Sequence, residues 1–192
     1  PQNINSLYFF QNKIKVLREG SLNMFKYSTI IDFSYNQIES ISSMVFDNEI
    51  SSAKTLKLSN NFISYLEFLE GIQFINLVKL DLSFNLIDQI FDSTFKSLTY
   101  LNELNLGNNQ IKFIDILAFI NNAKLESIKL NNISYNPNKL VLMNQIKIID
   151  LSMNNVSEIE FLSNLTNLKE LYLTNTNFSY NTLNVSLFTQ LS

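Results

Sequence analysis

The sequence predicts an α/β solenoid, a chain wound into repeated strand-and-turn coils. Three observations carry that expectation. An asparagine recurs at Asn12, Asn36, Asn61, Asn85, Asn109 and Asn154, and Ile133 and Thr176 take the same slot in two further copies. The intervals between slots are 24, 25, 24, 24, 24, 21 and 22 residues, a period that belongs to stacked supersecondary units. Before each slot stands a pair of inward-type residues two positions apart, such as Leu80 and Leu82 in "LDLSFNLI".

Each part of the coil follows from its residues. The paired apolar residues point inward from a short strand, and the residue between them points out, because side chains alternate along a strand. Successive strands stack into a parallel sheet. The chain must then turn, and the turn leaves backbone donors and acceptors inside the coil. A buried group without a partner costs about 1–3 kcal/mol. Asparagine carries both a donor and an acceptor, so one asparagine per coil satisfies the turn and stacked copies form a ladder. Thr176 keeps part of this role through its hydroxyl. Ile133 cannot, and "LNNISYNPNKLVL" around it also holds Pro137, so an irregular coil is expected near 131–145.

The stretches "LYFFQNKI", "IDFSYNQI", "LKLSNNFI", "LDLSFNLI", "LNLGNNQI" and "IDLSMNNV" all fit one frame, L-x-x-L-x-L-x-x-N-x-L-x-x-L. In this the chain resembles the leucine-rich-repeat family over essentially its whole length. The resemblance implies a horseshoe with a parallel sheet on the concave side and a mostly irregular or 3₁₀ convex side. It implies a single solenoid of about eight repeats over residues 1–192. It also implies terminal caps, and none is visible, so the chain reads as a fragment of a longer array. Phe46, Phe95 and Phe119 share one slot in the second half of the coil, with Phe25 and Phe74 three positions later; stacked rings there would fill the convex side. The 24-residue repeats with this phenylalanine resemble Toll-like receptors and secreted animal ectodomains. The later "IDLSMNNVSEIEFLSNLTNL" is similar to the 22-residue repeats of bacterial internalins and intracellular phosphatase regulators.

Composition removes whole classes of chemistry. Histidine, cysteine and tryptophan are absent, which removes Ser-His-Asp and Cys-His nucleophilic arrangements and the usual zinc sites. Only Gly20, Gly71 and Gly107 occur, too far apart for a phosphate-cradling loop. No catalytic residue, metal or cofactor is therefore expected, and the chain reads as no enzyme. A net charge of −3 without a basic stripe argues against a nucleic-acid partner. No apolar run approaches the ~20 residues needed to cross a bilayer.

Function on such a coil belongs to the outward residues of the concave sheet. The residue between the inward pair reads, coil by coil, Tyr8, Asp32, Lys57, Asp81, Asn105, Lys129, Asp150 and Tyr172; the one before the asparagine slot reads Gln11, Tyr35, Asn60, Phe84, Asn108, Asn132, Met153 and Asn175. From these rows and the neighbouring Phe10, the partner-binding candidates are Tyr8, Phe10, Asp32, Tyr35, Lys57, Asp81, Phe84, Lys129, Met153 and Tyr172. The large side chains either pack on one another to cover the sheet or serve as protein anchors. Lys54, Lys57 and Lys79 are placed near Asp32 and Asp81 as a mixed-charge centre suited to orienting a partner. Eight strands at about 4.8 Å make a face roughly 34 Å long, enough for a standard interface of ~800 Å² per partner.

Five glycosylation sequons begin at Asn132, Asn155, Asn164, Asn177 and Asn184. Chance pairing predicts about five in a chain this rich in asparagine, so only position is informative: Asn155 and Asn177 follow the ladder slot and should face solvent. The expected function is non-catalytic protein recognition, as part of an extracellular or cell-surface receptor, adhesion or innate-immune protein that engages a protein ligand or co-receptor. The alternatives are a cytoplasmic adaptor docking an enzyme such as a phosphatase, and a homo-oligomeric structural subunit.

Overall fold

The computed structural model describes residues 4–25, 27–46, 52–70, 76–136, 140–142, 144–156 and 159–178. Its strands, in chain order, are β1 (Ser6–Tyr8), β2 (Val16–Leu17), β3 (Ile30–Asp32), β4 (Ser40–Ile41), β5 (Thr55–Lys57), β6 (Lys79–Asp81), β7 (Gln89–Ile90), β8 (Glu103–Asn105), β9 (Phe113–Ile114), β10 (Ser127–Lys129), β11 (Ile148–Asp150) and β12 (Glu170–Tyr172). Eight of them form one sheet in the order β1-β3-β5-β6-β8-β10-β11-β12, every pair parallel. The register aligns Leu7, Ile31, Leu56, Leu80, Leu104, Ile128, Ile149 and Leu171. The spacings along that row equal those between the asparagine slots.

The core is one continuous apolar column running the length of the array. The inward pair of each strand supplies one side of it. Phe9 and Phe33 stack at 5.0 Å in the second inward row, and Phe25 packs edge-on to Phe9 at 6.4 Å. On the other side Phe95 and Phe119 stack at 5.8 Å and 11°, as their shared slot predicts. Phe46 instead meets Phe68 at 6.3 Å. Phe68 comes from three positions earlier in its coil, where a short 3₁₀ turn over Glu67–Leu69 carries it inward. Phe74 lies outside the described residues.

The far side of the coils holds 3₁₀ turns at Asn23–Phe25, Glu67–Leu69 and Glu160–Leu162, as expected. It also holds two small parallel ribbons, β2–β4 and β7–β9, that the sequence reading does not contain. Among the described residues no helix is long and apolar enough to cross a membrane.

The asparagine ladder is present with its predicted chemistry. Asn36, Asn61, Asn85 and Asn109 each use Oδ1 to accept the backbone N–H two residues past the slot of the preceding coil: Ile14, Ile38, Ile63 and Ile87, at 2.9–3.1 Å. Each Nδ2 donates to carbonyls of its own coil and of the coil before, as Asn85 does to Leu82 and Leu58. Asn12, in the first coil, bonds only within its own turn, to Phe9 and Phe10. Thr176 donates its hydroxyl to Leu173. Ile133 breaks the ladder in one direction only: Asn154 still reaches back to the Ile133 N–H and the Leu130 carbonyl. The Ile111 N–H, which an asparagine at 133 would satisfy, has no acceptor among the described residues. Pro137 lies outside them.

Candidate functional site

Parallel register brings the first predicted row into line across the whole sheet. Tyr8, Asp32, Lys57, Asp81, Asn105, Lys129, Asp150 and Tyr172 are successive cross-strand partners. Their environments differ. Tyr8 is exposed and packs edge-on to Phe10 at 6.4 Å. Lys57, Lys129 and Tyr172 are exposed. Asp32 is only 7% exposed; its Oδ1 accepts the Ser34 N–H at 2.9 Å. Asp81, Asp150 and Asn105 do the same for Ser83, Ser152 and Gly107 at 2.9–3.2 Å. This is an Asx turn, in which a short polar side chain bonds the backbone two residues on. The acidic members of the row thus hold the chain as it leaves the strand, and Asp32 is withdrawn from the surface by that work.

The charged centre is arranged differently from the sequence expectation. Lys57 pairs with Asp32 at 3.4 Å. Lys79 bonds Glu103 at 2.6 Å rather than Asp81, because the register sets Lys79 directly opposite Glu103. Lys147 bonds Glu126 at 2.6 Å, and that bond lowers the Glu126 pKa. Tyr172 donates to Glu170 at 2.6 Å, and the neighbouring carboxylate raises the phenol's pKa. These lysine–carboxylate pairs cross between coils; those at Glu103 and Glu126 lie in water, which screens them, and Asp32 is covered beneath Lys57. They leave the middle of the face close to locally neutral. Glu103, Glu126 and Lys147 are absent from the predicted set; Glu103 stands in the row just before the inward pair, and Glu126 and Lys147 in the row one position earlier.

The second predicted row has a property that sequence inspection overlooked. Gln11, Tyr35, Asn60, Phe84, Asn108, Asn132, Met153 and Asn175 all have positive φ, between 52° and 62°. This is the left-handed region, disfavoured by about 1–2 kcal/mol for ordinary L-residues and tolerated best by glycine and asparagine. Four coils use asparagine there. Gln11, Tyr35, Phe84 and Met153 hold larger side chains, and Tyr35, Phe84 and Met153 are half exposed. The run of asparagines in that row was the available signal.

Between the two rows lies a floor of small residues: Ser34, Ser59, Ser83 and Gly107, all buried. The Ser59 hydroxyl donates to that of Ser34 at 3.1 Å. Phe10 and Asn131 occupy the same position in the first and sixth coils. Asn131 leans over Gly107: a Cβ there would lie 2.1 Å from its Oδ1 and 2.8 Å from its Cγ. Gly107→Ala is therefore expected to destabilise by about 1–3 kcal/mol, the range for overpacking a tight site. Adding Asn131→Ser should recover most of that loss, since the two sites share one space. Thermal melts of the single and double variants check this; additive losses contradict it.

Of the sequon asparagines, Asn132, Asn155, Asn164 and Asn177 are exposed. Asn132 Nδ2 donates to Asn108 Oδ1, and Asn177 Nδ2 to Asn155 Oδ1. Asn184 lies outside the described residues.

The stacked parallel coils, the inward pair and the asparagine ladder define a leucine-rich-repeat solenoid. Residues 75–134 match the family model described as leucine rich repeat, and coils in the same parallel register stand on both sides of that window. The fold is similar to that in the crystal structure of the TLR13–ssRNA13 complex, with a TM-score of 0.77 and 24% sequence identity. The match covers 90% of this chain and 26% of that chain, so this chain spans about a quarter of the receptor chain it resembles. No curated protein matches the sequence.

Proposed function

We propose that the chain is a non-catalytic protein-recognition module, the ligand-facing part of an extracellular or cell-surface receptor, adhesion or immune protein. The observation that carries this reading is the eight-stranded face itself. Its backbone is pinned by ladder and Asx turns, and it displays large exposed side chains, Tyr8, Phe10, Tyr35, Phe84, Met153 and Tyr172, that neither the core nor the turns use. Rigid aromatic groups on a preorganised surface lose little entropy on binding and serve as anchors. The fold likeness to a Toll-like receptor supports the receptor setting, and the exposed sequons at Asn155 and Asn177 would carry glycans there.

The Toll-like receptor neighbour is recorded with single-stranded RNA. A net charge of −3 and the pairing of Lys57, Lys79 and Lys147 with carboxylates favour a protein partner here, because phosphate binding needs several uncompensated cations. The test is site-specific photocrosslinking in cells that express the protein. A crosslinker at Lys129 or Tyr172, on the face, should give protein adducts that one at Lys96 or Asn121, on the far side, does not. Adducts from the far side alone, or to RNA alone, contradict the reading.

A further inference from the structure

The floor of small residues is part of a groove, and its walls specify an occupant. We infer that this groove binds an extended peptide segment of a partner protein, running across the strands, with two apolar side chains three residues apart and a lysine or arginine beside the second. This rests on the concave face being the recognition surface.

The groove is a depression of about 370 Å³ lined by Phe10, Ser34, Tyr35, Lys57, Ser59 and Asp81 among others. Serines along its floor are small enough to let a main chain approach closely. Phe10 stands where a serine stands in the next three coils, and closes one end. Tyr35 lines the upper wall, and Phe84, in the same left-handed row two coils on, stands beyond the lining in Asp81's coil; both are half exposed. They belong to coils two apart, since β3 pairs β5 and β5 pairs β6. Two strand spacings are about 10 Å. A polyproline segment advances ~3.1 Å per residue with three residues per turn, so residues three apart share a face and are separated by about 9 Å. The two rings therefore meet side chains at positions i and i+3.

Charge fixes the other wall. Lys57 is committed to Asp32 and Lys79 to Glu103. Asp81 accepts from the N–H and hydroxyl of Ser83 through Oδ1 and has no ion-pair partner among the described residues. It stands in the same coil as Phe84, with its second oxygen left for a cation. A basic residue next to the second apolar one completes that pair.

The ridge also explains itself energetically. Asparagine serves the same turn at positions 60, 108, 132 and 175, so Tyr35 and Phe84 are the less favourable choice for folding.

The probe is the fluorescein-labelled peptide GSLPPLKSG, with GSSPPSKSG and GSLPPLESG as controls, followed by fluorescence anisotropy. The first should bind with a dissociation constant below about 1 mM. The leucine-free peptide should bind at least about tenfold more weakly, and the glutamate peptide several-fold more weakly. Asp81→Asn should abolish the preference for lysine over glutamate. The Y35N/F84N double variant should lose about tenfold or more in affinity while melting at or above the wild-type temperature. No binding of the first peptide at 1 mM, equal binding of the leucine-free peptide, or unchanged affinity in Y35N/F84N would each overturn the groove assignment. Crosslinks from Lys129 and Tyr172, which lie outside the groove, would still stand in that event.

Discussion

Asn85→Leu should destabilise the solenoid by about 1–3 kcal/mol, although leucine nearly matches asparagine in size. Asn85 accepts the Ile63 N–H at 3.0 Å and donates to the Leu58, Leu82 and Ser83 carbonyls at 2.9, 3.1 and 3.3 Å. The site is buried, so no water replaces those partners. Leucine would strand the Ile63 N–H, at about 1–3 kcal/mol, and take one of two bonds from the Leu58 and Leu82 carbonyls, which keep Asn61 and Asn109 as donors, at about 1 kcal/mol each. The gain from burying an apolar side chain, about 1.5–3 kcal/mol, offsets only part of this. In a chain of this length 1 kcal/mol shifts the melting temperature by about 2–4 °C, so a fall of about 5 °C is expected. Asn12→Leu, at an exposed rung with bonds only inside its own turn, should fall far less. A melt unchanged within about a degree for Asn85→Leu would refute the ladder.

Phe95→Ala should cost about 3–5 kcal/mol, the range for deleting a fully buried ring. Phe95 is wholly inaccessible and stacks on Phe119. Its backbone also matters: its carbonyl accepts from Asn122 Nδ2 at 2.9 Å. The cavity would open between two coils, so the loss should spread to the neighbouring repeat, as nearest-neighbour coupling in solenoids requires. Hydrogen exchange should quicken in coils four and five before it does in coil one. Uniform quickening along the array, or a loss under about 1 kcal/mol, would contradict the column of rings as a main support.

The fold was legible because its two determinants are written in the side chains. Inward pairs alternate with outward residues, and Asn36, Asn61, Asn85 and Asn109 mark every turn of the regular coils. Phe95 and Phe119 were legible for the same reason. Phe68 was not, since a 3₁₀ turn in its coil advances the ring by three positions, and nothing in the local pattern announces that shift. The small β2–β4 and β7–β9 ribbons were hidden because two-residue strands carry no periodicity.

The candidate face was half legible. Alternation placed Tyr8, Lys57, Lys129 and Tyr172 on the surface. It could not show that Asp32 turns back onto the Ser34 N–H, nor that Lys79 would choose Glu103 over Asp81, because both depend on cross-coil register. The left-handed row was within reach: four asparagines in one column point to positive φ, and Tyr35 and Phe84 then stand out as residues the backbone does not favour.

The central claim is that the parallel face, rather than the edges or the far side of the coils, meets the partner. The most direct measurement is the dissociation constant of a crosslinked partner for the wild-type chain and for Lys129→Glu/Tyr172→Ala, with circular dichroism showing the fold retained. A loss of about tenfold or more is expected. Equal affinity in a folded variant would contradict the account and move the interface off the sheet.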